Sequence, residues 1–146
     1  SYESLLRHER EEAYRQVVSE AELAQDERLI VCPPPHEGIE AALTELMATD
    51  GPRLDAILAT TDALAIPAMS FLDGRGVSVP GDVAVMGLGD LPMSSISRIS
   101  LTPVESPPAE LGRRAAELAL QLRDHTPDEP IHQYIHSSRV LVRQTT

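Results

Sequence analysis

An α/β fold in which helices flank a parallel sheet is the class this sequence predicts, and three observations predict it. Short apolar runs bounded by turn residues, Arg28–Cys32, Leu54–Thr60 and Val83–Gly87, read as buried strands. The stretches between them carry apolar residues at three- and four-residue steps, the spacing of a helix that buries one face. The connections are short, and strands that alternate with helices in this way pair in parallel, because each helix returns the chain across the sheet.

The elements follow in order. From Tyr2 to Leu23, Ala13, Tyr14, Val17, Val18 and Ala21 form one apolar stripe on a helix. The strand Arg28–Cys32 stops at Pro33, Pro34 and Pro35, which lack the amide hydrogens a ladder needs. Ile39, Ala42, Leu43 and Leu46 repeat the helical stripe until Asp50-Gly-Pro52 breaks it. After the strand Leu54–Thr60, Asp62 is the expected N-cap of a helix whose apolar face is Ala65, Ile66, Met69 and Leu72, with Gly74 and Gly76 ending it. Pro67 falls past the first turn of that helix and predicts a kink or a later start. Val79-Pro-Gly-Asp82 is a turn into the strand Val83–Gly87. Leu111, Ala115, Leu118 and Leu122 mark a further helix whose stripe serves the core or an interface, core being the default for any one residue. Two β-rich pieces close the chain, around Gln133–Ile135 and Arg139–Val142.

Composition narrows the function. The 146 residues suffice for one modest domain or a large piece of one. With 12 Lys and Arg against 23 Asp and Glu the net charge is −11, and the basic residues are scattered among glutamates, so this segment is not expected to hold a phosphate backbone itself. A single cysteine, Cys32, excludes an internal disulfide framework and fits a reducing compartment, which points to the cytoplasm. No apolar stretch approaches the length of a membrane span. His132 and His136 lack a carboxylate or thiol at ligand spacing, so no metal site is expected. With no nucleophile elbow and no phosphate-cradling glycine loop, neither catalysis nor a cofactor is expected.

Five short motifs occur in a fixed order: Asp55-Ala-Ile-Leu-Ala-Thr-Thr-Asp62 with Ala65, Gly76-Val-Ser-Val-Pro-Gly-Asp-Val-Ala-Val-Met-Gly87, Leu101-Thr-Pro-Val104, Glu110-Leu-Gly-Arg-Arg-Ala-Ala116 and Arg139-Val-Leu-Val-Arg-Gln-Thr-Thr146. In sequence and spacing they resemble the LacI/GalR family of transcriptional regulators, and Arg10, four positions before Tyr14, matches that family's arginine-to-aromatic segment. The resemblance implies a type I periplasmic-binding-protein-like effector domain, incomplete at its N-terminus. On that reading residues 1–146 are the C-terminal part of the effector-binding and dimerisation domain. They hold mostly the second lobe, with crossover and tail segments at about 100–146, while the helix-turn-helix and the first lobe are absent. It also implies a homodimer that senses a small-molecule effector and touches DNA only through the missing N-terminal domain, with effector binding coupled to operator binding. A sheet without its first strands would expose an edge, which again predicts association between copies. The alternative is a periplasmic sugar-binding protein of a transporter, which shares the fold.

The same resemblance assigns candidate effector contacts. Arg10 matches the arginine that hydrogen-bonds the effector, and a guanidinium offers five fixed donors for such a role; its other reading is a helix-surface ion pair with Glu11 or Glu12. Thr61 lies where a ligand-facing hydroxyl or amide is common, beside Asp62 as a helix cap near the site. In Gly87-Leu-Gly-Asp90 the family's aromatic is replaced by Leu88 and its ligand-binding aspartate by Gly89, leaving Asp90 as a secondary contact. Pro33 stands where an aromatic stacks on the effector, and Leu6 where a small hydroxyl residue is common. These departures leave few polar partners for a polyol. Three alternatives follow: an effector less polar than a typical sugar, contacts drawn from the absent lobe, or a chain that does not respond to a small molecule.

Overall fold

The computed structural model describes residues 2–23, 38–48, 53–89, 100–105, 107–123 and 137–146. The expected strand at 28–32, Pro33, Asp90 and the β-rich piece at 133–135 lie outside the described residues. Four helices are described: α1 (Tyr2–Glu20), α2 (Ile39–Ala48), α3 (Asp62–Gly74) and α4 (Pro108–Leu122). Strands β1 (Ala56–Leu58), β2 (Ala84–Gly89), β3 (Thr102–Glu105) and β4 (Arg139–Val140) form one sheet in the order β1-β2-β3-β4.

The expected α/β architecture is present, with a mixed rather than wholly parallel sheet. β1 and β2 run parallel, with Ile57 opposite Val85, and β2 and β3 run parallel, with Gly89 opposite Glu105. β4 is antiparallel to β3 and spans only Arg139–Val140, shorter than the β-rich run at 139–142 suggested. Pro103 lies within β3 in register with Gly87, and its carbonyl accepts the Leu141 amide at 3.0 Å. A proline has no N–H to return, so this rung of the β3–β4 ladder is single-bonded, and apolar periodicity alone did not mark the segment as a strand.

The core forms where α2 and α3 meet the sheet. Ala65, Ala68, Met69, Phe71 and Leu72 of α3 are buried with Leu43 of α2, Val83 and Val85 around β2, and Leu101 before β3. Leu72, Val85 and Leu101 are fully buried. The stripes expected at Ile39, Ala42, Leu43 and Leu46 and at Ala65, Ile66, Met69 and Leu72 do face inward, except that Ala42 is half-buried outside the core cluster. α3 closes with a left-handed Gly76 (φ +71°): the Gly76 amide bonds the Asp73 carbonyl and the Val77 amide bonds the Leu72 carbonyl, both at 3.0 Å. That pairing satisfies the carbonyls left orphaned at a helix end and needs a residue free to adopt positive φ.

Three expectations need correction. α3 starts at Asp62 and runs through Pro67 to Gly74, so the proline does not delay its start. Thr61, with extended backbone angles of −150° and 154°, occupies the N-cap position, and Asp62, the expected cap, is instead the first helical residue. The stripe on α4 is not core: none of its residues is buried, and Leu111 is 41% and Leu122 37% exposed. Periodicity reports that a helix has an apolar face, not that this chain covers it. α1 behaves similarly, with Tyr14 and Val18 half-buried and Val17 exposed.

The carboxyl-terminal residues bind the amino ends of the inner strands together. Thr145 is fully buried; its main chain accepts the Val85 amide at 2.8 Å, and its hydroxyl donates to the Val85 carbonyl and accepts the Thr102 amide. Gln144 and Ser100 exchange hydrogen bonds of 3.0 and 2.9 Å, and the Arg143 amide donates to the Thr102 hydroxyl. This tail extends the sheet with further hydrogen bonds and holds β2 and β3 together below the site.

Candidate effector site

The parallel strands β1 and β2 end at a common rim, and the site residues gather around the turn Thr60–Asp62 that leaves β1. Open α/β sheets place ligands at such carboxyl ends because the loops diverge there and helix amino termini point inward. The Ala59 amide bonds the Met86 carbonyl at 2.8 Å, which fixes the turn against β2.

Arg10 reaches this turn from α1. Its Nη1 donates to the main-chain carbonyl of Thr60 at 3.0 Å. Glu11 pairs with Arg15 at 3.1 Å, and Glu12 lies 3.4 Å from His8. The helix-surface pairing of Arg10 with Glu11 or Glu12 is therefore not adopted. Among the described residues Arg10 forms no ion pair, and the rest of its fork has no hydrogen-bond partner.

Thr61 follows at the rim. It caps α3 by position but not through its side chain, and its Oγ1 is buried with no hydrogen-bond partner among the described residues. The carbonyl of Thr61 accepts the Leu64 and Ala65 amides, both at 3.1 Å, to start the helix. Asp62 in the first turn complements the positive end of the helix dipole, which partly offsets the cost of burying its carboxylate completely.

Asp62 and β2 fit together through missing side chains. A Cβ on Gly87 would lie 2.3 Å from Asp62 Oδ1 and 3.1 Å from Leu101, so the Asp62 carboxylate fills the notch this glycine leaves. Gly89, at φ +147°, is two residues further along the same face; a Cβ there would lie 3.6 Å from the Asp62 carboxyl carbon. Sequence reading marked Gly89 as a lost aspartate but missed Gly87 and its fit to Asp62, for which the glycine inside an apolar strand was the available signal. At the same end of the sheet, Glu105 in β3 is in register with Gly89 and is bonded to Arg139 of β4, whose guanidinium pKa this contact raises.

The structure thus brings Arg10, Thr61, Asp62 and Gly89 to one rim. Leu6 lies in α1, but its side chain is outside the described residues, as are Pro33 and Asp90. Among the described residues no cluster of His, Cys, Asp or Glu is arranged to hold a metal ion, and no helix is long and apolar enough to cross a membrane. The basic pair Arg113 and Arg114 on α4 is bound to Glu110 and Glu117, and the Arg113 guanidinium holds the Glu110 carboxyl below its usual range.

Comparison with known proteins bears on the family and the fold. The model of a family described as a periplasmic binding protein-like domain matches residues 3–146. The HTH-type transcriptional regulator GalR of Escherichia coli (strain K12) is 35% identical over 120 residues, covering 82% of this chain and 35% of that protein. Among solved structures, a LacI family transcriptional regulator from Bifidobacterium animalis subsp. lactis superposes with a TM-score of 0.81 at 26% identity, over 95% of this chain and 49% of that one. A LacI family transcriptional regulator from Arthrobacter sp. FB24, solved in complex with lactose, gives a TM-score of 0.71 at 29% identity, over 81% and 44% of the two chains. The chain spans about a third of the length of the curated relatives it matches.

Proposed function

Because the chain belongs to the LacI/GalR family of transcriptional regulators, through its periplasmic binding protein-like domain, we propose that it is the effector-sensing part of a DNA-binding regulator. A small molecule held at the rim around Thr60–Asp62 biases operator binding. The observation that carries this reading is Arg10: an arginine on the Thr60 carbonyl, with no carboxylate partner among the described residues, next to a buried and unsatisfied Thr61 hydroxyl. Polar groups held in this state at the end of a parallel sheet are prepared for a ligand that supplies their missing partners. The curated relatives are regulators, which favours a switch over a transport carrier or an enzyme.

The remaining parts of the reading rest on the family. DNA contact belongs to a helix-turn-helix outside these residues, in keeping with the net charge of −11. A homodimer is supported by the exposed apolar side chains Leu58, Leu111, Leu120 and Val142, and a cytoplasmic site of action by the regulatory role. The test pairs two measurements on the full-length protein: thermal stabilisation across a panel of sugars and acids, and operator binding with and without each stabilising compound. A compound that raises Tm and shifts operator affinity is expected; a panel that does neither, with operator binding intact, removes effector sensing from the protein.

A further inference from the structure

Building on the effector-site reading above, we propose that the effector is an anion, a sugar phosphate or a sugar acid, gripped by the free edge of the Arg10 guanidinium. Three features of the rim carry this. The first is the state of Arg10 itself. Its hydrogen bond to the Thr60 carbonyl uses one Nη1 hydrogen and fixes the plane of the guanidinium, leaving Nε and Nη2 as a pre-oriented pair of parallel donors. Two parallel N–H groups fit the two oxygens of a carboxylate or phosphate, and a fork already held by a backbone carbonyl loses little freedom on binding.

The second feature is what stands around that fork. Glu11 is paired with Arg15 and Glu105 with Arg139, Glu12 lies beside His8, and none of these acids, nor Glu9, forms an ion pair with Arg10. Asp62 is fully buried and packed into the Gly87 notch on the α3 side of β2. The fork therefore carries no ion pair among the described residues, in a chain whose net charge is −11.

The third feature is Gly89. A side chain there would begin 3.6 Å from the Asp62 carboxyl group, so a carboxyl group at this position would be crowded against it. Glycine at this position supplies no side-chain acceptor for a ligand hydroxyl. Each hydroxyl of a neutral sugar carries a proton that must find an acceptor when the site closes, and a guanidinium has none to give. A donor-rich rim suits a ligand that brings its own acceptors.

The test uses the full-length protein and five probes: glucose 6-phosphate, ribose 5-phosphate, gluconate, glucose and ribose. At millimolar concentration at least one of the three anions raises Tm, the neutral sugars do not, and the phosphate and carboxylate arms tell which acid is recognised. Arg10→Gln abolishes the shift, and Arg10→Lys, which keeps the charge but loses the fork, raises the apparent Kd about tenfold or more. If glucose or ribose raises Tm through Arg10, the effector site stands and the anion is overturned, most directly where Asp90→Asn removes that shift. If no probe raises Tm, or every shift survives Arg10→Gln, both the anion and the role of Arg10 in the site are overturned.

Discussion

Arg10 and Thr60, fifty positions apart, are joined by a 3.0 Å hydrogen bond from a side-chain guanidinium to a main-chain carbonyl. Among the described residues it is the hydrogen bond that ties α1 to the sheet, and α1 adds little apolar burial of its own, since Tyr14 and Val18 are only half-buried and Val17 is exposed. Arg10→Ala should therefore loosen α1 selectively. An exposed bond of this kind contributes about 1 kcal/mol, so amide exchange in residues 8–20 should rise roughly fivefold while exchange in β2 stays unchanged. Hydrogen exchange without ligand checks this, and equal protection of α1 in both proteins would show that the helix is held by other contacts.

Thr145 is expected to matter more for stability than its position near the end of the chain suggests. Its hydroxyl is buried between the Val85 carbonyl and the Thr102 amide, so Thr145→Val removes both partners from groups that water cannot reach. The cost should be about 1–3 kcal/mol. Thr145→Ser keeps the hydroxyl and should recover most of it. Denaturant midpoints of the three proteins decide the matter, and a valine variant as stable as the wild type would remove the tail from the fold's hydrogen-bond framework.

α4 and α3 should respond in opposite ways to the loss of apolar side chains. Leu72 is fully buried in the core, and Leu72→Ala should cost about 2–5 kcal/mol through lost contacts and the cavity left behind. Leu111 is 41% exposed, and Leu111→Ser should change the stability of this domain by less than about 0.5 kcal/mol. If the exposed stripe pairs copies of the protein, the same variant should lower the sedimentation coefficient at a given concentration. A large stability loss from Leu111→Ser with no change in assembly would return α4 to the core.

What could be read in advance follows from the range of the interactions involved. β1, β2 and the α3 face were legible because apolar runs and helical periodicity are local, and because Gly76 at a helix end has a local reason. β3 was harder, because Pro103 breaks the propensity pattern and its pairing with Gly87 and Leu141 is set by distant segments. The tail is the extreme case: Thr145 meets Val85 across 60 positions, and nothing near it in sequence signals that contact. At the site, motif order pointed to Arg10, Thr61 and Gly89, but the expected cap, Asp62, lies one residue past the actual one, Thr61. Both Thr61 and Asp62 are good capping residues, and composition alone does not choose between them.

The turn before β2 makes stability depend on acid. The Asp82 carboxyl is held below the usual carboxylate range, first by the Ser78 amide at 2.9 Å and then by Arg53. A carboxylate with a depressed folded-state pKa adds stability that is fully present above its unfolded value and is lost as pH falls through the folded one. The difference in urea midpoint between wild type and Asp82→Ala should therefore be largest at neutral pH and should shrink as pH falls below about 4. A difference that stays constant down to pH 2 would mean that the turn is held by packing and not by the charge.

The fit between Asp62 and Gly87 gives the sharpest steric prediction. Gly87 is buried, and an added methyl would lie 2.3 Å from the Asp62 carboxylate and 3.1 Å from Leu101, too close for either to stay in place. Gly87→Ala should cost about 1–3 kcal/mol by overpacking and should displace the Thr60–Asp62 turn. Asp62→Ala removes the obstructing carboxylate, so adding Gly87→Ala to it should cost less than adding Gly87→Ala to the wild type. The double-mutant cycle should show a coupling of about 1 kcal/mol or more. Because the turn also carries the Arg10 bond, Gly87→Ala should raise exchange in α1 as well, while Asp62→Ala with Gly87→Ala should restore part of that protection. Strict additivity of the two substitutions would mean that the carboxylate does not occupy the notch, and the coupling of β2 to the effector rim through this pair would fall with it.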